Sequence, residues 1–297
     1  MKLITPVPVT DAMLTSSNLP ETDAPAWSAG TVYSVGQTVI RTGTHRIYRR
    51  LLAGSSPTAP ELDPTNWQDI GPTNRWAPFD SAVGSLATTA GTSITYTLTP
   101  GQTITSIALL DLDADGVLVS VSVSGSTVYS RTWAPAVSPT SMGSWFSYFF
   151  DPFERRGSLV ILDLPAYPTA VISITLTGTA PLAVGTIVIG TAYDLGTTLT
   201  GTKVGITDYS VKNTDEFGVT TLVERSYAKR METQLVVPTG QASTVARRLA
   251  AARATPAIWI GEQDIDAAIV YGWPRDWAIE LSYPQVSYIS LSIDGLV

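Results

Sequence analysis

The composition of this 297-residue chain excludes several classes of function. Its 18 Lys and Arg against 25 Asp and Glu give a formal net charge of −7, so no overall attraction to nucleic acid or anionic lipid is expected. The absence of Cys excludes disulfides, thiolate zinc sites and cysteine nucleophiles. Charged residues make up only 14%, against roughly 25% in an average soluble protein, so we expect much of the surface to face other subunits.

Residues 1–20 are predicted to form an extended arm that packs on a neighbouring subunit. Pro6, Pro8 and Pro20 stand among Thr and Ser, a composition that disfavours helix and sheet alike. The segment lacks the apolar stretch of a signal peptide, and no run of about 18 apolar residues occurs in the chain. We therefore expect synthesis in a cytoplasm and no membrane insertion.

Residues 21–72 are predicted to form a small all-β module, because short β-prone segments alternate there with Gly and Pro. These segments are residues 31–33, 37–41 and 46–51. Its aromatic residues are Trp27, Tyr33, Tyr48 and Trp67. Such rings can stack on the apolar face of a sugar, or they can form the core of so small a unit. Both interpretations remain open at this point.

Residues 73–195 are predicted to form an antiparallel, jelly-roll-like β-sandwich, because alternating apolar segments recur with turn residues between nearly all of them. The predicted strands are residues 93–98, 104–110, 117–123, 159–162, 171–176 and 183–189. The junction with the small module is predicted at Asn74, Arg75 and Trp76. There we expect Trp76 to be buried between the two units and Arg75 to bind carbonyls or a carboxylate across the joint.

Residues 196–297 are predicted to form an α+β assembly unit. Residues 220–237 are strand-like, and residues 239–254 place Val245, Leu249 and Ala252 on one face of an amphipathic helix. The strands that follow are predicted at residues 257–260, 267–271, 277–281 and 286–293. One helix among antiparallel strands is typical of the α+β class.

The one cluster of basic residues in this acidic chain lies on and near the predicted helix. It consists of Arg247, Arg248 and Arg253 together with Arg225, Lys229 and Arg230. Such a cluster can be a solvated helix face, or it can dock on carboxylates of another subunit.

Catalytic signals are weak. The single histidine, His45, lies in a predicted turn with no nucleophile motif nearby and no second His to form a metal site. Glu262, Asp264 and Asp266 could form an acid pair for glycoside hydrolysis, but a solvated loop between two strands explains them better. We therefore predict a protein that is not an enzyme and uses no cofactor.

Asp111, Asp113 and Asp115 copy the first half of a calcium-binding loop, with Gly116 at the tight turn. The second half does not follow, because position twelve is Ser122 instead of a bidentate Glu. An Asp-Gly hairpin turn between two strands explains the same residues, so we expect no metal here.

The small module resembles a known family. Residues 26–39 read AWSAGTVYSVGQTV and are followed by Tyr48-Arg49, Gly54, Pro57 and Trp67. This pattern resembles the chitin-binding type of carbohydrate-binding module, in which exposed aromatic side chains stack on sugar. Trp27 and Tyr33 are the positions that correspond best, and the resemblance implies a host-surface glycan as a ligand.

A second resemblance covers more of the chain. It rests on GPTNRWAPFD at 71–80, IALLDLDA at 107–114, YFFDP at 148–152, KVGITDYS at 203–210 and AARATPAIWIG at 251–261. These segments are similar to a family of phage and prophage proteins found among tail genes. The resemblance implies a structural protein of the virion tail, with other tail proteins and copies of itself as partners. The alternative is a dedicated glycan-binding adsorption protein.

Overall fold

The computed structural model describes residues 1–80, 82–135, 156–214, 216–281 and 285–296. Segment 148–152 of the tail-family resemblance lies outside these residues. The described chain is mainly β, with antiparallel sheets and one α-helix, α1 (Thr239–Ala251). The predicted mainly β class with a single helix is confirmed. No helix in this part of the chain has the length and apolar character needed to cross a membrane.

The strands are numbered in chain order. The first seven are β1 (Lys2–Pro6), β2 (Leu14–Ser17), β3 (Val32–Tyr33), β4 (Thr38–Arg41), β5 (Arg46–Arg50), β6 (Gly54–Ser55) and β7 (Trp67–Pro72). The next eight are β8 (Ala87–Thr89), β9 (Ser93–Leu98), β10 (Ser106–Asp113), β11 (Gly116–Val123), β12 (Ser126–Trp133), β13 (Ser158–Ile161), β14 (Val171–Thr177) and β15 (Leu182–Asp194).

The last eight strands precede and follow α1 along the chain. They are β16 (Thr197–Thr198), β17 (Lys203–Asp208), β18 (Val211–Thr214), β19 (Thr220–Val223), β20 (Tyr227–Pro238), β21 (Ala257–Ile260), β22 (Ile269–Glu280) and β23 (Val286–Gly295). The strand-like stretch predicted over 220–237 is thus two strands, β19 and β20. Short 3-10 helices cover Pro60–Leu62, Ala77–Phe79, Ala252–Ala254 and Asp266–Ala268.

The sandwich packs a five-stranded sheet, in the order β12-β11-β14-β9-β2, against half of a larger sheet. Alternation along these strands explains the packing, since every second residue of β9 and β11 is buried. Tyr96 and Val119 of the smaller sheet share one core with Ile107 and Leu109 of β10.

The larger sheet runs through both the sandwich and the C-terminal unit. Its order is β13-β10-β15-β1-β21-β22-β23-β20-β16, with β8 paired to β15 and β17 paired to β20. The sheet therefore crosses the boundary expected at residue 196. On its C-terminal half, α1 buries Ala242, Val245 and Leu249 against the sheet, as the amphipathic pattern predicts.

Residues 1–20 differ from the extended arm that was predicted. β1 pairs with β15 on one side and β21 on the other, and β2 pairs with β9. The reason is local: Leu3 and Ile4 point to opposite faces of the sheet and both are buried, Leu3 in the core under α1 and Ile4 among apolar residues of neighbouring strands. The prolines between the two strands obscured this short apolar segment.

We predict that Ile4→Ala lowers the free energy of unfolding by about 2–5 kcal/mol, because Ile4 is fully buried and the sheet around it cannot close over the cavity. Lys2→Ala, at the exposed first position of the same strand, is the control and should change it by less than about 0.5 kcal/mol. Denaturant unfolding measures both, and equal losses would contradict the central role of β1.

Candidate functional site

Three rings of the small module form its core. Tyr33, Tyr48 and Trp67 are each no more than 4% exposed, and Tyr33 meets the edge of Trp67 with ring centroids 5.1 Å apart. Of the two interpretations of these aromatic residues, the structure supports the one in which they form the core of the module. The sugar-stacking prediction is therefore corrected at these positions, because the rings have no exposed face to offer.

Trp27 is the one ring of this set at the surface of the core. It is half-buried, and the Arg41 guanidinium lies 4.9 Å from its ring centroid. Arg41 is in turn held by Glu61, with 2.8 Å between Nη2 and Oε1, and this hydrogen bond lowers the pKa of Glu61. A sugar could stack on that face of Trp27 only after Arg41 moved away from its carboxylate.

Aromatic contacts join the module to the sandwich. Trp76 is 8% exposed and stacks on His45, with ring centroids 4.0 Å apart and planes 18° from parallel. Phe79 meets Trp76 edge-on at 6.0 Å and Tyr96 at 5.2 Å. The contacts thus run from a turn of the module into the sandwich core, and Trp76 is buried as predicted.

Polar bonds fix the same joint. Arg75 Nε donates to the Leu19 carbonyl at 2.6 Å, but Leu19 is buried in the sandwich core, so this bond lies on the sandwich side of the joint and not across it as expected. Asn74 Nδ2 donates to the Thr88 carbonyl at 2.9 Å, and the Thr88 amide donates back to Asn74 Oδ1 at 2.8 Å.

His45 has a structural place at this joint that sequence reasoning missed. Its Nδ1 lies 3.0 Å from Glu21 Oε1, and its backbone is in the left-handed region at φ 55°. Contacts with Trp76 and Glu21 could not be read from a lone histidine in a turn. The module is thereby held at a set angle by residues of three separate segments.

The aspartates of the calcium-like motif do not converge. Asp115 accepts a hydrogen bond from the Thr179 amide at 2.9 Å, whereas Asp111 faces a different cavity. No group of three acidic or histidine residues in the described chain could hold a metal ion. The hairpin interpretation is also corrected, because β10 and β11 belong to different sheets and the Asp-Gly segment turns the corner between them.

Asp111 lines a cavity of about 430 Å³ beside Lys229 and Asp266. Lys229 Nζ donates to Asp266 Oδ2 at 3.0 Å, and Ser158 Oγ also donates to this carboxylate. Burial alone would raise the pKa of Asp266, but the bonds from Ser158 and Lys229 outweigh it and lower the pKa. Burial raises the pKa of Asp111, against the opposing charge of Lys229.

The other two acids of the suggested catalytic set lie elsewhere. Glu262 and Asp264 are exposed on the turn before the Asp266–Ala268 helix, and Asp264 lies 3.8 Å from Arg156. Their exposure agrees with the solvated loop that the sequence favours. Asp266 departs from that interpretation, because Lys229 and Ser158 hold it against the cavity.

The arginines of α1 have unequal surroundings. Arg248 lies over the Tyr193 ring at 4.4 Å and donates to the Asp194 carbonyl at 3.2 Å. Arg247 is exposed beside it, at a groove of about 510 Å³ between α1 and the ends of β1 and β15. Arg253, in the 3-10 helix that follows α1, is exposed and donates to the Ala250 carbonyl of α1. Arg247 is thus the member best placed to meet another molecule.

The segment from Lys203 to Tyr227, which we name the arm, is the most exposed part of the described chain. It contains β17, which pairs with β20, and the hairpin of β18 and β19, which pair with each other. Every described residue of the arm except Thr207 and Ser210 is exposed. The apolar side chains on it include Ile206 at 58%, Tyr209 at 50% and Leu222 at 68% exposure.

We predict that Trp76→Ala lowers the free energy of unfolding by about 3–5 kcal/mol, because it removes the buried ring between His45 and Phe79. Trp273→Ala makes the same chemical change at a 37% exposed site and should cost clearly less. Denaturant unfolding and limited proteolysis of the linked module provide the measurement. Equal losses in the two variants would show that the module is tethered loosely.

Comparison with known proteins identifies no relative. No protein family matches the chain, and a search of curated proteins finds no match. The resemblances to a chitin-binding module and to phage tail proteins therefore stay expectations drawn from the sequence.

Proposed function

We propose that this protein is a non-enzymatic structural component of a bacteriophage tail or tail appendage, which assembles with copies of itself and with other tail proteins. The observation that carries the assembly role is the exposed arm. The tail location rests on the sequence resemblance, and the low charge of the chain fits a surface that is largely covered in a particle.

The arm supports assembly because it cannot gain stability from its own packing. All eight residues of β18 and β19 are exposed, so this two-stranded ribbon buries no face of its own. Two-stranded hairpins of this kind are marginal in water unless something packs on them. The apolar side chains Ile206 and Leu222 would be buried by a neighbouring subunit.

A second copy of the chain offers a suitable acceptor. Among the described residues, β12 and β2 end the five-stranded sheet and β13 ends the larger one, so each has an edge without a partner strand. Such edges accept an added strand through backbone hydrogen bonds. Each copy therefore presents both a projecting strand pair and edges to receive it.

The alternative of a dedicated glycan-binding adsorption protein draws no support from the small module. Tyr33, Tyr48 and Trp67 are in its core, and Trp27 lies beneath Arg41. The fixed junction at Trp76 instead suits a module that contacts a neighbour at a set angle.

We predict that the double variant Ile206→Ser and Leu222→Ser weakens self-association of the purified chain, because both side chains are apolar and exposed on the arm. The fold should be unaffected, since neither side chain is buried. Leu86→Ser with Leu281→Ser, at sites 46% and 71% exposed outside the arm and the small module, is the matched control. Sedimentation velocity measures association, and mass spectrometry of purified particles tests the virion location.

Unchanged association in the arm variant would contradict docking through the arm. Absence of the chain from intact particles would contradict the tail assignment, whatever the arm does. The two outcomes are independent, so the class of protein and the contact surface are tested separately.

We predict that Arg247→Glu reduces incorporation into particles, because an exposed arginine at the α1 groove would face a carboxylate of a neighbour. Arg248 is unsuitable for this test, since its guanidinium holds Tyr193 and Asp194 within the fold. Arg275→Glu, at an exposed arginine outside the basic cluster and outside the arm, is the control. Normal incorporation of the Arg247 variant would leave this helix as a solvated face.

A further inference from the structure

Asp111 has a backbone conformation that ordinary strand residues avoid. Its φ is 52°, in the left-handed region, where a side chain other than Gly is unfavourable. The ladder of β10 with β15 skips it, because Leu110 pairs with Thr186 and Leu112 pairs with Val184. Asp111 and Gly185, which lie opposite each other, both leave the ladder there without a change of register, and the left-handed backbone directs Asp111 to the cavity described above.

The opposite strand leaves room for this side chain. A Cβ added to Gly185 would lie 2.7 Å from the Asp111 Cβ and 3.0 Å from its Oδ2, closer than atoms can approach. Only glycine on β15 therefore permits the position of Asp111. The strained residue and its facing glycine form one local arrangement that places a carboxylate in the cavity.

The Asp111 carboxylate has no hydrogen bond or ion pair within the described chain. Asp111 is exposed, so water bonds its carboxylate in the free protein, and a ligand that binds in the cavity would replace that water. The protein around the carboxylate still removes part of its solvation, which raises the pKa of Asp111. Lys229 does not neutralise this carboxylate directly, because its ammonium is bonded to the Asp266 carboxylate and carbonyl.

The rest of the cavity combines polar and apolar surfaces. Lys229 and Asp266 form a fixed pair on one wall, whereas Ile269 and the half-buried Tyr271 supply apolar surface. Tyr227, at the root of the arm, lines the mouth and is 55% exposed. A volume of about 430 Å³ lies within the range of small-ligand sites.

We propose that this cavity binds a saccharide, with the Asp111 carboxylate accepting hydrogen bonds from sugar hydroxyls and the tyrosines contacting the apolar face of the sugar. Hydroxyl groups can take the place of the water molecules that bond the exposed Asp111 carboxylate, since no group of the described chain donates to it. The ring C–H groups match the tyrosine surfaces. The site is distinct from the aromatic residues of the small module and does not depend on the proposed assembly role.

The test compares trisaccharide binding and stability in the full chain. Isothermal titration and saturation-transfer NMR with maltotriose and with the N-acetylglucosamine trimer should detect binding of at least one of them. Asp111→Gly should weaken that binding by about tenfold or more. Its melting temperature should equal or exceed that of the unchanged chain, because glycine adopts this φ without strain.

Ser124→Gly is the matched control. Ser124 also has a left-handed backbone, with φ 50°, but it lies in the turn between β11 and β12. The Ser124→Gly variant should bind the trisaccharides as the unchanged chain does. Its melting temperature should equal or exceed that of the unchanged chain, as expected for Asp111→Gly. 1,6-Diaminohexane serves as a ligand with donors but no sugar ring.

Absence of binding by either trisaccharide would overturn the proposal, as would equal binding by the Asp111→Gly variant. Binding of the diamine in preference to both sugars would also overturn it and would assign the site to cations. Self-association measured on the same samples should not change with Asp111→Gly, so failure of the saccharide site and failure of arm docking give different results.

Discussion

The insertion of β1 between β15 and β21 is the contact on which the rest of the architecture depends. Its five residues provide the only link, in the described sheet, between strands of the sandwich and strands of the C-terminal unit. Gly190 makes the close pairing with β15 feasible, because a Cβ there would lie 2.1 Å from the Thr5 carbonyl oxygen. Leu3 contributes to the core under α1 and Ile4 to the core on the other face, so one short strand stabilises two packing layers.

This continuity positions every candidate surface. The cavity of Asp111 lies where β10, on one side of β1, comes close to Lys229 and Asp266 from the other side. Ser158 of β13 bonds Asp266, and Gln263 Nε2 donates to the Val160 carbonyl at 3.0 Å, so the curled sheet is joined across its concave face. Residues more than a hundred positions apart in sequence thus meet at one polar joint.

Sequence reasoning predicted what depends on local periodicity. The helix over 239–254 appears as α1 and a following 3-10 turn, and the alternating strands of the sandwich lie close to their predicted positions. It missed what depends on distant partners. β1 is too short and too close to prolines to show an alternating hydrophobic pattern. The Asp-Gly segment after β10 connects two different sheets, but an Asp-Gly sequence is equally typical of a hairpin turn.

The candidate site shows the same division. Burial of Trp76 follows from the need for a fixed joint and was predictable, whereas the bond from Arg75 goes to Leu19 in the sandwich core and not across the joint. The core position of Tyr33, Tyr48 and Trp67 was one of two interpretations that composition could not separate. Asp111 and Asp266 were each recognised as acids of interest, but for unrelated motifs. Their common cavity exists only because the sheet curls.

The arm and the cavity are not independent parts of the surface, because β20 belongs to both. Lys229 bonds Asp266 in the cavity, and its backbone pairs with Ile206 of the arm. Tyr227 lines the cavity and pairs with Asp208 at the end of β17. A subunit that docks on the arm must therefore contact, or lie beside, the strand that forms one wall of the cavity. Asp111 lies outside the arm, on β10, so a substitution there can separate ligand binding from assembly, whereas one at Tyr227 would alter both.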